Sequence, residues 1–503
     1  MEKKSYVVAV DVGSSEVTIA VGSFVDDNMI HIEGIVTEPC EGMSAGLIDN
    51  NHTVGAALRI AREKAEQLVG VAITDAYVSI SGKFVRCARY TDHVFVEDAQ
   101  DCIAQRDIMA LSERMHNVKA ADGEVIMDMF PICYKSDMGV EMKNPVGSYS
   151  KQLTSTYNFI LCERPAKDRF RRLFLDASIK IQDMFASAAV VAESVVTAEE
   201  KEEGVAVVDI GDGVTDVAIY HNGALCYMVS IPIGGSAINA DIRHYASQIP
   251  MSAIETLKRT YGSALVRLTP DGIINVQRGN RNLKPIPRHN LAAIIEARMT
   301  DIAEYVWNEI RESNFANKLS AGIVLTGGVA ELKNVAELFQ QVTGVETRVA
   351  CAELGITSIS LEKVASPKHT LAVSLLLRGA QKGATPVGVL QRPIQEPEKP
   401  EVPVVVPPVE VVNPQQEIKE KDIKVPVGPD VPPVSINDKY GNNNNPIVEP
   451  TDEDKEDNTD DITNEEQTQK SGWFRGMLNK FQKHFDKAFQ NPDEEDEDDN
   501  DEY

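Results

Sequence analysis

The sequence predicts an α/β body made of two similar halves, followed by a proline-rich acidic segment and a terminal amphipathic helix. Three observations predict this. Apolar runs alternate with helical periods up to Gly383. An Asp-x-Gly hairpin pattern occurs twice, about 200 residues apart. Hydrophobicity is sparse through residues 385–470 and returns abruptly at Gly472.

The 503 residues are 43% hydrophobic and 25% charged, a globular composition long enough for several domains. Charge is unevenly spread. Residues 386–503 hold 29 acidic and 12 basic residues, so this tail carries −17 of the net −27. The body is only mildly acidic, which excludes a generally basic, nucleic-acid-coating surface. Seven scattered cysteines without a CxxC read as reduced thiols of a cytoplasmic protein, not as a disulfide frame or zinc site. The N-terminal residues have no signal-peptide pattern, and no uncharged apolar run is long enough to span a bilayer.

Val7–Val10 and Val17–Val21 read as strands joined around a Gly-Ser turn. Val54, Leu58, Ala61, Ala65 and Leu68 recur at helical spacing, with Gly70 as the stop. Short strands and a helix around Ile108–Met115 read as an inserted small domain over 80–161. Helices are expected over Phe170–Ile179 and Ala188–Glu200, and at Val205–Val208 the opening pattern begins again.

That repetition carries the chemistry. Asp11-Val-Gly-Ser-Ser15 and Asp209-Ile-Gly-Asp-Gly-Val-Thr215 each follow a buried strand. In each, a carboxylate ends the strand and glycine permits a tight return. Either copy alone reads as a simple turn. Two copies, each opening one half of the body, make a phosphate clamp whose N–H groups and hydroxyls receive phosphate oxygens. Candidate nucleotide contacts are therefore Gly13, Ser14, Ser15, Gly211, Gly213 and Thr215. Asp11 and Asp209 are the candidate Mg²⁺ ligands, acting largely through water because Mg²⁺ dehydrates reluctantly. Ile323–Gly328 reads as a strand ending in Gly327 and Gly328, which suits close approach to a base or ribose, or simply a tight turn. A helix is expected after it, over Glu331–Gln341. Glu255 and Lys258 share a helix face, placed either for ribose hydroxyls or as a surface ion pair. No Ser-His-Asp set and no metal-binding His cluster is evident, so no catalytic residue is assigned.

Near the C-terminus, Phe474, Met477, Leu478, Phe481, Phe485 and Phe489 fall on one face of a helix over 471–490, with Trp473 at its start. Arg475, Lys480, Lys483 and Lys487 fall outside that stripe. This pattern suits an anionic membrane surface. Residues 491–503 form an acidic tail, and 385–470 read as a disordered linker.

The two Asp-x-Gly loops and Leu325-Thr-Gly-Gly328 resemble the phosphate and adenosine loops of the actin, sugar-kinase and heat-shock chaperone superfamily. Within it, Gly42–Ile48, Tyr77–Lys83, Lys143–Gly147, Gly204–Tyr220 and Ala321–Leu332 are similar to the bacterial cell-division FtsA family. The insertion also falls where that family carries its extra, SHS2-type subdomain. The resemblance implies an actin-like two-lobed fold with duplicated ribonuclease-H-like cores, and ATP with Mg²⁺ between the lobes. It implies a first-lobe core of 1–79 and 162–200, a second-lobe core of 201–236 and 320–384, and a second-lobe small subdomain of 237–319. It further implies self-association into actin-like filaments, contact with later divisome proteins at the division site on the cytoplasmic side of the membrane, and binding of the FtsZ C-terminal peptide. Arg278, Arg281, Lys284 and Arg288 lie in the matching small subdomain with no acid among them, either as that docking site or as a solvated loop.

Three positions depart from the family pattern. Glu16 stands where many relatives carry lysine or a neutral residue, and Asp212 and Val214 replace glycines of the second loop. Filament-forming relatives place a glutamate near position 187 to orient water; here the residue is Ser187. The resemblance thus implies ATP binding with slow or negligible hydrolysis. A membrane-tethered adaptor is the favoured reading. An active kinase or ATPase needs a catalytic carboxylate or glutamine, and a chaperone needs a folded substrate domain after residue 383.

Overall fold

The computed structural model describes residues 4–26, 29–247, 249–278, 281–358 and 364–389. The expected linker beyond Val389, the helix over 471–490 and the acidic tail lie outside the described residues, as do the side chains of Arg278 and Arg281.

The first sheet opens with β1 (Tyr6–Val12), β2 (Glu16–Asp26) and β3 (Met29–Pro39), an antiparallel meander. Val7 to Val10 are all fully buried, because β1 lies between layers of helices on both faces. A small hairpin, β4 (Met43–Ser44) and β5 (Leu47–Ile48), leads into α1 (Asn51–Val69). The Asn50 side chain accepts from the His52 and Thr53 amides, and Gly70 closes α1 in the left-handed region. Val54, Leu58, Ala61 and Ala65 face the core as expected, but Leu68 is exposed in the last turn. After β6 (Val71–Ile73), β7 (Asp75–Ile80) runs parallel to β1.

The insertion then begins. β8 (Val85–Phe95), β9 (Glu124–Lys135), β10 (Glu141–Met142) and β11 (Gln152–Glu163) form an antiparallel sheet backed by α2 (Gln105–His116). Ile103, Leu111, Met115, Leu153, Tyr157 and Phe159 form its own core. α3 (Arg164–Asp176) and β12 (Lys180–Ala186) return the chain to the first sheet, where β12 lies parallel to β7. The helix expected over Phe170–Ile179 therefore stops at Asp176, and Ser178 turns the chain with φ 57°. The single helix expected over Ala188–Glu200 is broken into α4 (Ser187–Val190), a 3-10 turn (Val191–Ser194) and α5 (Ala198–Glu203). The break is local chemistry. Thr197 accepts from the Glu200 amide and the Glu200 carboxylate accepts from the Thr197 amide, a reciprocal cap that starts a new helix.

The second sheet repeats the first. β13 (Val205–Ile210), β14 (Thr215–His221) and β15 (Ala224–Ile231) form the same meander. The small subdomain follows: α6 (Gly235–Tyr245), α7 (Met251–Tyr261), the hairpin β16 (Ile273–Arg278) and β17 (Arg281–Pro287), and α8 (Arg288–Glu312). β18 (Ile323–Thr326) lies parallel to β13 and β19 (Thr347–Val349) parallel to β18, as β7 and β12 do in the first sheet. The expected helix over Glu331–Gln341 is α9 (Val335–Thr343), preceded by a 3-10 turn because Asn334 takes a left-handed φ of 62°. The insertion's β8 pairs with β15, so the second sheet continues into the insertion.

The chain crosses back after β19. β20 (Ile356–Ser358) pairs with β3, and α10 (Thr370–Lys382) packs on β1 and β2 through Val373, Leu375 and Leu376. The later part of the expected second-lobe core, 320–384, thus lies on the first sheet. The linker also begins later than 385. Thr385 is buried, its amide donates to Tyr6 O at 2.7 Å, and its Oγ1 accepts from the Val8 amide at 3.0 Å. β21 (Val387–Val389) then pairs with β6.

The fit of α10 is tight enough to invert a common rule. Glycine to alanine inside a helix ordinarily gains about 1 kcal/mol. A Cβ on Gly379 would lie 2.3 Å from Tyr77 Cδ2. The ring is buried and its hydroxyl donates to Gly383 O at 3.1 Å, so it has nowhere to move. Gly379→Ala is expected to lower stability by about 1–3 kcal/mol. Urea unfolding of the variant checks this, and equal or greater stability would show that the ring yields.

Candidate nucleotide-binding cleft

Both meanders end their first hairpin at one cleft of about 380 Å³. Asp11 is the penultimate residue of β1, and Asp209 has the matching place in β13. The turns after them are alike. The Gly13 amide donates to Glu16 O and the Gly211 amide to Val214 O, both at 2.9 Å. The tips touch, since a Cβ on Gly213 would lie 2.3 Å from Ser14 Oγ. Asp11, Gly13, Ser14, Ser15, Asp209, Gly211 and Gly213 all line the cleft. Thr215, expected among them, does not. It is fully buried and its hydroxyl donates to Ile233 O at 2.8 Å, which braces the chain leading to Gly234.

Gly327 and Gly328 form a further wall. Gly327 has φ 89°, and a Cβ there would lie 2.2 Å from Asp209 Oδ1, so only glycine lets this loop close on β13. The Gly327 amide donates to Pro367 O at 3.1 Å, and Thr326 Oγ1 donates to Thr370 Oγ1 at 2.8 Å. These bonds carry Lys368 and Leu371 into the lining.

Glu255 and Lys258 face the cleft from α7. Lys258 Nζ lies 2.8 Å from Glu255 Oε2 and donates to Gly235 O at 3.4 Å, while Asn239 Nδ2 donates to the same Glu255 oxygen at 2.7 Å. The lysine is only 5% exposed, so this is no surface ion pair. The glutamate keeps an exposed edge toward the cleft.

Local patterns missed several lining residues. Asp216 pairs with Asp209 across the β13–β14 register, so counting outward from the Gly211–Val214 turn would have found it. Ser79 and Ser81 arrive on and after β7, and no local signal marks them. Ser79 Oγ donates to Asp11 Oδ1 and Ser81 Oγ to Asp216 Oδ1, both at 2.7 Å. Ser187, at the start of α4, also lines the cleft, as do Arg259 and Glu331.

The electrostatics are unusual for an anion site. Seven carboxylates and three cationic side chains line the cleft. Burial pushes Asp11 up to about 6, with the Ser79 hydrogen bond opposing and Glu16 adding. Burial pushes Asp216 up to about 6 against hydrogen bonds from Ser230 and Ser81. Burial, then the charges of Asp216 and Asp11, hold Asp209 well above the usual carboxylate range. Asp209 accepts no side-chain hydrogen bond among the described residues, so a cation would find its ligand there uncommitted. Among the described residues no three His, Cys, Asp or Glu side chains are grouped to hold a metal unaided. The donor set fits Mg²⁺ that arrives with a polyphosphate and its waters, with Asp11 and Asp209 as outer partners.

Of the basic cluster, Lys284 and Arg288 are described. Lys284 Nζ donates to Tyr245 O at 3.2 Å and lies over that ring, and Arg288 lies over Tyr261. Arg278 and Arg281 pair through their backbones at the end of the β16–β17 hairpin, so the segment is a strand pair and not a loop. Trp473, Phe474, Met477, Leu478, Phe481, Phe485 and Phe489 lie outside the described residues. Among the described residues no helix is long and apolar enough to cross a membrane.

Known proteins match this architecture. The family profile described as "Cell division protein FtsA" matches residues 206–374. Cell division protein FtsA of Escherichia coli K12 is 29% identical over 387 residues, covering 75% of this chain and 91% of the relative. The Pseudomonas aeruginosa FtsA is 28% identical over 380 residues, covering 75% and 89%. Among solved structures, a chain of the PilM–PilN type IV pilus biogenesis complex superposes with a TM-score of 0.51 at 14% identity, covering 74% of this chain and 98% of that one. That likeness shows a shared two-lobed, actin-like fold. With its duplicated sheets, its insertion after β7 and its sequence kinship, the chain is similar to the FtsA cell-division proteins over three quarters of its length.

Proposed function

We propose that this cell-division protein binds Mg-ATP between its lobes, self-assembles, and tethers FtsZ filaments to the cytoplasmic face of the membrane at the division site, where it helps recruit later division proteins. The observation that carries the nucleotide part is the meeting of two equivalent Asp-x-Gly hairpins, in contact at Gly213 and Ser14. Their turn amides and the Ser14 and Ser15 hydroxyls receive phosphate oxygens, Gly327 and Gly328 admit the nucleoside, and Glu255 with Lys258 takes the ribose hydroxyls. Asp11 and Asp209 hold Mg²⁺ through water, and the ion neutralises phosphate charge that this acidic cleft would otherwise repel. Ser187 supplies no carboxylate to orient an attacking water, so turnover stays below about 1 s⁻¹. FtsZ's C-terminal peptide is acidic and docks on the small subdomain near Lys284 and Arg288, a reading that rests on the similarity to FtsA proteins. Residues 471–490 supply the membrane contact by their apolar stripe and basic flank.

Calorimetry on the full chain tests the cleft. ATP is expected to bind with Mg²⁺ and much more weakly without it, and Asp209→Ala is expected to weaken Mg-ATP by about tenfold or more. Unchanged affinity in that variant would remove Asp209 from the site.

The raised carboxyl groups add a pH signature. Asp11 and Asp216 hold their protons in the folded protein up to about pH 6, above their unfolded range. Their contribution to stability is therefore complete near pH 4 and is lost as pH rises through about 6. Asp209→Asn removes one buried like charge. Without ligand it is expected to melt about 2–6 °C higher than the native protein at pH 7.5, with a smaller gain at pH 4.5. Mg-ATP should stabilise the native protein and not the variant. A variant that melts lower at pH 7.5 would show that Asp209 is not under electrostatic strain.

For the membrane part, Phe481→Glu is expected to abolish co-sedimentation with vesicles of phosphatidylglycerol and phosphatidylethanolamine while leaving ATP affinity unchanged. Continued pelleting would mean that another segment is the anchor.

A further inference from the structure

Glu16 departs from the family pattern, and the cleft gives it a setting. It begins β2, directly after the first phosphate turn, and its carbonyl accepts from the Gly13 amide at 2.9 Å. Its backbone is held between β1 and β3, where it pairs with Pro39. Its carboxylate makes no ion pair and accepts no side-chain hydrogen bond among the described residues. Two cations line the same cleft, Arg259 from the other lobe and Lys368 from the segment that crosses between the lobes. Arg259 stands in the last turn of α7, with only a long 3.9 Å approach to Glu331, whose other oxygen accepts from Ser366 Oγ. Lys368 sits on the 3-10 turn that Gly327 fastens to the second lobe through Pro367 O, and it makes no ion pair among the described residues.

We propose that Glu16 on the first lobe and Arg259 on the second, with Lys368 on the segment that crosses between the lobes, form an electrostatic latch across the cleft, which closes over bound nucleotide and sets its rate of release. The inference rests on the nucleotide reading of the cleft. Three long side chains of complementary charge project from three rigid backbones, and none is committed to a strong partner. When the lobes approach, these charges gain contacts absent from the present arrangement, so the attraction favours the closed state selectively. Burial raises the Glu16 carboxyl while Lys368 and then Arg259 lower it, which identifies the cations that act on it most strongly. Nucleotide in the cleft excludes water from the space between, and the attraction strengthens accordingly.

The alternative is that Glu16 merely repels phosphate, and the two roles predict opposite signs. Release of a fluorescent ADP analogue from the full chain, with Mg²⁺, is followed by stopped flow after mixing with excess ATP. Under the latch, Glu16→Gln and Glu16→Ala release the analogue about three- to tenfold faster than the native protein. Added salt speeds release from the native protein and has little effect on Glu16→Gln. Glu16→Lys combined with Lys368→Glu returns the rate to within about twofold of native. Thermal melting verifies that each variant is folded, and the isosteric glutamine variant serves if alanine disturbs the hairpin. Slower release from Glu16→Ala and slower still from Glu16→Lys would overturn the latch in favour of repulsion. Unchanged release with normal binding would overturn the latch alone. A native protein that binds no analogue would overturn the nucleotide reading itself.

Discussion

Two carboxylates that water cannot easily reach face one another across this molecule. Asp11 and Asp209 each stand next to the end of a largely buried strand, and the hairpin tips beyond them are in contact. Such a pairing is unfavourable in a folded protein without a counter-charge. The surrounding residues temper the conflict without resolving it. Ser79 donates to Asp11, Ser81 and Ser230 donate to Asp216, and Asp209 accepts no side-chain hydrogen bond among the described residues. The fold thereby concentrates negative charge at the junction of its lobes. The glycine at 327, the paired Lys258 and the seryl side chains on and just after β7 line the same cleft.

Duplication supplies the symmetry, and chain crossing turns two copies into one molecule. Each sheet has a three-stranded meander followed by two parallel strands. β20 and α10, which follow the second copy in sequence, pack on the first. Arg378 on α10 also reaches Asp128 of the insertion and lies over Phe130 and Phe185. One helix thus touches the cleft at its start, the insertion midway, and the exit of the body at its end.

The parts legible in the sequence were those whose signals are short-range. The Asp-x-Gly turns are complete within about seven residues, and Asn50 and Gly70 mark the ends of α1 by local capping chemistry. Residues placed by topology were hidden. Ser79 and Ser81 enter the cleft only because β7 pairs with β1, and Asp216 only because β14 pairs with β13. Thr215 misled because the strand alternation that makes Asp216 face the cleft turns Thr215 inward to Ile233. Residues 356–384 were expected in the second-lobe core but pack on the first sheet, since a three-residue strand such as β20 carries almost no periodic signal. The helix over 188–200 failed for a different reason. A strong cap at Thr197 outweighed a continuous apolar pattern.

The last described residues leave the body as a peg-and-zip. β21 is only three residues long and pairs antiparallel with β6. Behind it, Thr385 is set into β1 by two hydrogen bonds and Thr74 Oγ1 holds Pro386 O at 3.1 Å. Thr385 thus fixes the end of the described chain directly to the strand that carries Asp11, with β21 as a second, outer attachment.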